Sequence, residues 1–214
     1  MRPPGVYRAQ TDTALLCRVL RRGHAVGRRV LDVGSGTGAL ALEAWRAGAS
    51  SVTAVDVSRR SVVATWLNTR LHGAVTPVAC GDLFGPLGDE KFDLIVANPP
   101  YVPSLSTNVP WHRNSRRWDG GPDGRAILDR ICAGAAARLT EDGVILVVHS
   151  AVCGPERTVE RMGQAGLAGT IVERDAIPFG PVMRARATML AARGLVEPGQ
   201  SVEELVVVEA RRAE

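Results

Sequence analysis

Short apolar runs and longer amphipathic ones alternate along the first half of the chain. RRVLDVG, SVTAVDV, VTPVACGD and KFDLIVANPP have the length and turn-bounded form of strands. ALALEAWRAG and RRSVVATWLNTRLHG, between the first three, carry apolar residues at helical spacing. Connections this short predict parallel βαβ units under helical cover, an open-sheet α/β fold. Farther on, PDGRAILDRICAGAAARL predicts a helix opened by Pro122, GVILVVHS a fifth strand, GPERTVERMGQAG a helix and GTIVERD a sixth strand. EELVVVEAR supplies a seventh strand after the insert IPFGPVMRARATMLAARGLVEPGQS, whose MRARATMLAARG reads as an added surface helix. In front of the sheet, TDTALLCRVLRRG predicts a helix capped by Asp12 or Thr11.

Composition narrows the class without naming a chemistry. At 214 residues the expected organisation is one domain, residues 1–214: an arm and helix over 1–29, a core over 30–150, and a C-terminal part over 151–214 with the insert near 181–200. No apolar run approaches the roughly 20 residues of a membrane span, and the polar, Pro-rich opening lacks a signal peptide's apolar core, so the expected location is cytoplasmic. Cys17, Cys80, Cys132 and Cys153 lack metal-ligand or disulfide spacing and are expected to be buried fillers. The net charge of +4 permits an acidic partner, and WHRNSRRW, Trp111 to Trp118, alternates arginines with aromatics as a polymer-gripping loop would. A solvated loop has the same composition.

Candidate chemistry begins at LDVGSGTGALAL, a strand, glycine turn and helix that put backbone N–H groups at the crevice where open α/β sheets bind ligands. Gly34, Gly36 and Gly38 allow a sharp turn and a close backbone approach, and Asp56, about 20 residues on, ends the second strand where ribose hydroxyls would sit. The loose dinucleotide fingerprint fits too. Asp32 favours a ligand with an ammonium and a sulfonium, because a carboxylate sits poorly against a pyrophosphate.

These residues resemble the class I S-adenosylmethionine-dependent methyltransferases, with their D-x-G-x-G-x-G loop. The resemblance implies a Rossmann-like, mostly parallel seven-stranded sheet with the last strand antiparallel and helices on both faces. It implies S-adenosyl-L-methionine as cofactor, its amino acid end at Asp32, Gly34, Gly36 and Gly38, its ribose at Asp56 and Val57, and its adenine at Asp82 and Leu83 of CGDLF. Asn98, Pro99, Pro100 and Tyr101, the NPPY that ends FDLIVA, match the [DNS]-P-P-[YFW] motif of members that methylate planar nitrogens. There the first side chain and a proline carbonyl take the acceptor's two N–H groups and the aromatic ring stacks on its plane, so positioning does most of the work.

VYRAQTDTALL and WDGGPDGRAILDR further resemble the HemK-type methyltransferases, short form, that modify a glutamine of peptide-chain release factors. The resemblance spans about residues 6 to 150 and implies that Asp12 and Thr13 help close over the cofactor. Ala9 and Thr11 depart from the proline and glutamate of that opening. The implied acceptor is the side-chain amide of a protein glutamine, and the implied helper is a small partner subunit. RNA bases and small molecules are the other planar-nitrogen acceptors; a target-recognition region for DNA is missing. His24, His72, His112 and His149 lack metal-ligand spacing, so no metal is expected, and His149 ends a strand near the crevice.

Overall fold

The computed structural model describes residues 10–105 and 118–213. Helix α1 covers Thr11–Val19 and passes into a π-helical turn at Leu20–His24, where Gly23 takes φ 100°. Strand β1 (Arg29–Val33), α2 (Ala39–Arg46), β2 (Ser51–Asp56), α3 (Arg59–Leu71), β3 (Val78–Cys80) and β4 (Phe92–Ala97) follow. The second half runs α4 (Leu128–Ala135), β5 (Leu139–Ser150), α5 (Pro155–Gln164), β6 (Leu167–Pro178), α6 (Pro181–Ala192) and β7 (Val202–Arg212). The strands form one sheet in the order β3-β2-β1-β4-β5-β7-β6, with β7 antiparallel to both neighbours.

Alternation along each strand divides the core in two. Val30, Leu94, Val96, Val144, Leu146, Leu205 and Val207 pack on one face with Leu15, Leu16 and Val19 of α1 and Leu40 and Ala44 of α2. Leu31, Ile95, Ile145, Val147 and Val206 pack on the other with Leu128 and Ile131 of α4 and Met162 of α5. Helices cover both faces, as expected. Strand order reverses between β1 and β4, which opens a crevice at their C-terminal ends.

Several expected elements shift. Pro122 does not open α4: Gly121 and Gly124, at φ 82° and 79°, fold residues 121–127 into turns, and the helix starts at Leu128. Neither Asp12 nor Thr11 caps α1, whose N-cap is Gln10 without a side-chain bond; Asp12 lies in the first turn and turns to other work. Strands β5 and β6 each run to 12 residues: β6 pairs with β7 from Leu167↔Arg212 to Pro178↔Val202 as a long ladder, and β5 pairs with β4 from Leu139 and with β7 to Ser150. Cys132 and Cys153 are buried and Cys17 half-buried, but Cys80 is exposed at the end of an edge strand. The insert does form the expected amphipathic surface helix, docked by two side chains. Met183 and Leu190 of α6 are buried with Val102, Phe179 and Val196 in a third apolar cluster against Tyr101 and Trp118.

Candidate functional site

The crevice holds a cavity of about 710 Å³. Gly34 and Gly36 border it after β1, Asp56, Val57 and Ser58 after β2, Gly81, Asp82 and Leu83 after β3, and Asn98, Pro99, Pro100 and Tyr101 after β4. Four successive strand ends thus converge on one space.

Asp56 shapes the glycine loop as well as the cavity. Its Oδ2 accepts the Gly36 N–H at 2.9 Å and its Oδ1 the Ser58 N–H at 2.8 Å, so the carboxylate ties the end of β2 to the loop after β1. Gly34 has φ +78°, and a Cβ there would meet no atom within 4 Å, leaving backbone open to the cavity. Gly38 serves packing instead: its Cβ would lie 3.1 Å from the Thr65 backbone, so it lets α3 approach the start of α2 and does not border the cavity. Leu83 is the one non-glycine residue with positive φ among the described residues, at 49°, a costly conformation for a branched side chain. The Asp82 carboxylate is held by Arg130 of α4, with Nη2 2.6 Å from Oδ2 and Nη1 3.3 Å from Oδ1.

Asp32 is wholly buried behind the cavity wall rather than in it. Its Oδ2 accepts the Ala41 N–H at 3.0 Å in the first turn of α2, and Oδ1 has no hydrogen-bond partner among the described residues. Burial pushes its pKa up to about 7, with Asp56 adding to the rise against the pull of the Ala41 N–H.

The NPPY segment and the opening of α1 interlock. Asn98 Nδ2 donates to Thr13 Oγ1 at 3.1 Å, and the Tyr101 hydroxyl donates to Asp12 Oδ2 at 3.0 Å. Asp12 Oδ1 in turn accepts the Thr13 N–H at 2.6 Å. With its NH2 committed to Thr13, Asn98 keeps its carbonyl oxygen as an acceptor. Asp12 borders the cavity and Thr13 stands behind it. The Tyr101 carbonyl accepts the Cys153 thiol at 3.2 Å; burial lifts that thiol to about 12, so it stays protonated and donating.

Sequence reasoning missed the outer half of the cavity. Ile177, Pro178, Gly180, Pro181, Val182 and Met183 form an apolar wall of the cavity that packs with Tyr101, and Glu203 of β7 also borders it. The helix expected at MRARATMLAARG starts two residues earlier, at Pro181, a residue suited to a first helical position, and faces the cavity. His149 is fully buried on β5 and borders no cavity; its Nδ1 pairs with the Ser150 carbonyl at 2.9 Å, and burial holds its pKa down at about 4. Trp111 to Arg117 and His112 lie outside the described residues, as do Ala9 and the start of the VYRAQ opening. No cluster of metal-binding side chains occurs among the described residues.

Residues 2–166 match the family described as the methyltransferase small domain. A Methanocaldococcus jannaschii protein named by inference as a protein N5-glutamine methyltransferase is 30% identical over 84% of this chain and 90% of its own length. Human Methyltransferase HEMK2 is 31% identical over 77% of this chain and 81% of that protein. Bacterial release factor glutamine methyltransferases are longer: the chain matches 62% of the Geobacter sulfurreducens protein at 30% identity. Among solved structures, the E. cuniculi Mtq2–Trm112 complex, responsible for methylation of the eRF1 translation termination factor, aligns at TM-score 0.67 and 20% identity over 98% of this chain and 99% of the other, a likeness of fold.

Proposed function

The chain belongs to the HemK family of S-adenosylmethionine-dependent methyltransferases, and from that premise we propose that it methylates the side-chain amide nitrogen of a protein glutamine, in a substrate of the release-factor type. The observation that carries this reading is the interlock of Asn98 with Thr13 and of Tyr101 with Asp12 at the mouth of the cofactor crevice.

The cavity fits the cofactor. Gly34 and Gly36 expose backbone for the amino acid end, and Asp56, whose oxygens can accept more than one hydrogen bond each, serves the ribose. Asp82, oriented by Arg130, and Leu83 with Val57 suit a flat base that carries an amino group. Asp32 acts from behind, as buried negative charge under the loop. When bound, S-adenosylmethionine supplies an electrophilic methyl on a sulfonium.

A glutamine amide is a weak nucleophile because its nitrogen lone pair is delocalised. Asn98 contributes by accepting one amide N–H on its carbonyl oxygen, an orientation fixed by the bond to Thr13. The Pro99 carbonyl takes the other, and Tyr101, its hydroxyl held by Asp12, offers its ring to the amide plane. Both hydrogens held, the nitrogen is presented to the crevice, so this chain's contribution is positioning and charge stabilisation. The finer expectations go with this reading: a small activating partner subunit, action in the cytoplasm, and one catalytic unit over residues 1–214. No helix among the described residues is long and apolar enough to cross a membrane.

Methyl-labelled S-adenosylmethionine, incubated with release factors and with total RNA from the same organism, tests the proposal. Label should appear on a release factor, map to a glutamine and vanish with Asn98→Ala, while cofactor affinity stays within a few fold. Label confined to RNA would overturn the acceptor, and full turnover by Asn98→Ala would remove NPPY from the mechanism.

A further inference from the structure

The cavity wall built by the end of β6 and the start of α6 is apolar, and one carboxyl borders the cavity beside it. Glu203 lies on β7, paired in the ladder with Ile177 of β6, and borders the cavity with Ile177, Pro181 and Met183 while only 4% exposed. Its Oε2 has no hydrogen-bond partner among the described residues. The carboxyl does meet the Ser150 hydroxyl, which accepts the Val152 N–H at 3.4 Å and therefore has its own proton to give to Glu203. One half of the carboxyl is thus satisfied by the protein and the other half is not.

A buried carboxyl oxygen without a donor is destabilising, and such groups in a cleft mark places where a ligand completes the set. The missing partner must be a donor. Asp12 cannot supply it, since that carboxylate already accepts from Tyr101 and Thr13, and its charge together with burial raises the Glu203 pKa. Ile177, Pro181 and Met183, which border the cavity with Glu203, carry no side-chain donor, so the donor comes from what enters the cavity.

We propose that Glu203, backed by Ser150, is a second acceptor-binding group that takes a main-chain N–H of the substrate polypeptide, in the same cavity as Asn98. This rests on the protein-glutamine reading above and deepens it. A peptide N–H matches a carboxyl set beside an apolar wall because it is a neutral donor, and Ile177, Pro181 and Met183 accommodate backbone and small side chains without a counter-charge. Asn98 then selects the planar nitrogen, and Glu203 selects a chain that carries it. Glu203 is a positioning residue for specificity; an amide without a main-chain N–H lacks the second contact.

Glu203→Gln keeps a carbonyl acceptor of the same shape, and Glu203→Leu removes it. In the labelled assay on release factor, Glu203→Leu should raise KM about tenfold, the loss of one hydrogen bond to a buried group. kcat and cofactor affinity should stay within a few fold, and Glu203→Gln should recover most of the KM. A turnover-free arm separates the two readings: ligand-observed NMR of N-acetyl-glutamine methylamide, and of methyl glutaramate, an ester that keeps the amide but has no main-chain N–H, on the full chain loaded with S-adenosylhomocysteine. The methylamide should bind wild type and Glu203→Gln several-fold better than Glu203→Leu, and the ester should not distinguish them. Release factor left unlabelled while the methylamide keeps its Glu203 dependence would sink the release-factor acceptor and leave the N–H subsite standing. An unchanged KM in Glu203→Leu, no methylamide binding to wild type, or an equal loss of melting temperature in both variants without rescue by Gln would overturn the subsite.

Discussion

Asp32 and Asp56 show how differently two carboxylates of one loop can act. Asp56 is a ligand-facing group that also holds Gly36 and Ser58, so Asp56→Ala should weaken cofactor binding by about 1 to 3 kcal/mol by calorimetry, with Asp56→Asn falling between. Unaltered affinity in Asp56→Ala would show that the end of β2 does not touch the cofactor. Asp32 never reaches the cavity surface, but its pKa of about 7 makes it a titrating charge beneath the site. A cation bound above it favours the ionised form, so binding should release a proton, and cofactor affinity should rise with pH up to about 7. In Asp32→Asn that rise should disappear. Calorimetry in buffers of different ionisation enthalpy reads the released proton directly, and identical pH profiles in the two proteins would break the link between Asp32 and the cofactor.

Among elements, the turn from Gly120 to Ile127 does most to hold NPPY in place. A Cβ on Gly124, at φ +79°, would lie 2.3 Å from the Tyr101 carbonyl oxygen and 2.7 Å from the Cys153 sulfur. Gly124→Ala should therefore cost about 1 to 3 kcal/mol and lower turnover together, because the carbonyl cannot move without moving the Tyr101 ring. Gly34→Ala shares the positive φ but meets no atom, so it should lose at most about 1 to 2 kcal/mol of stability and act on cofactor affinity instead. Denaturant midpoints beside single-turnover rates separate the two, and equal effects would erase the distinction between supporting and contacting glycines. Here sequence and structure part company. Gly34, Asp56, Asp82 and Asn98 were legible because each ends or follows one of the short apolar runs of the βαβ alternation, whose strand ends meet at the crevice. Gly124, Arg130 and Glu203 were not, because their partners Tyr101, Asp82 and Ser150 lie far away in the chain and no local pattern encodes such pairs. The start of α4 was misread for a related reason. Pro122 is a good first helical residue, yet two positive-φ glycines and buried Arg125 make a turn of that segment. Arg125 spans α4 and α5: its Nη1 reaches the Cys153 carbonyl at 2.6 Å and Thr158 Oγ1 at 3.0 Å, and its Nη2 reaches Asp129 at 2.6 Å.

On the scale of the whole molecule, two of the sheet's buried titratable groups, Asp32 and His149, act in opposite directions from its two faces. Asp32 shares the α1 and α2 face with Val30, and His149, in phase with Ile145 and Val147, points to the α4 and α5 face. Burial raises Asp32 from 3.8 to about 7, so between about pH 4 and 7 the folded state binds more protons there than the unfolded chain, and stability falls as pH rises. Burial lowers His149 from 6.5 to about 4, so between about pH 4 and 6.5 the unfolded chain binds more protons, and stability rises with pH. Each slope is at most about 1.4 kcal/mol per pH unit, so over their common window the two largely cancel. Removing one should expose the other. Relative to wild type, Asp32→Asn should gain stability steadily from pH 4 to 6.5, while His149→Gln should lose it over the same range, both read from urea midpoints at closely spaced pH. Curves that run parallel to wild type in both variants would mean that neither group titrates with folding. The same measurement bears on the site, because a cation held above Asp32 lowers its pKa and removes the falling limb; saturating cofactor should make wild type trace the rising curve of Asp32→Asn.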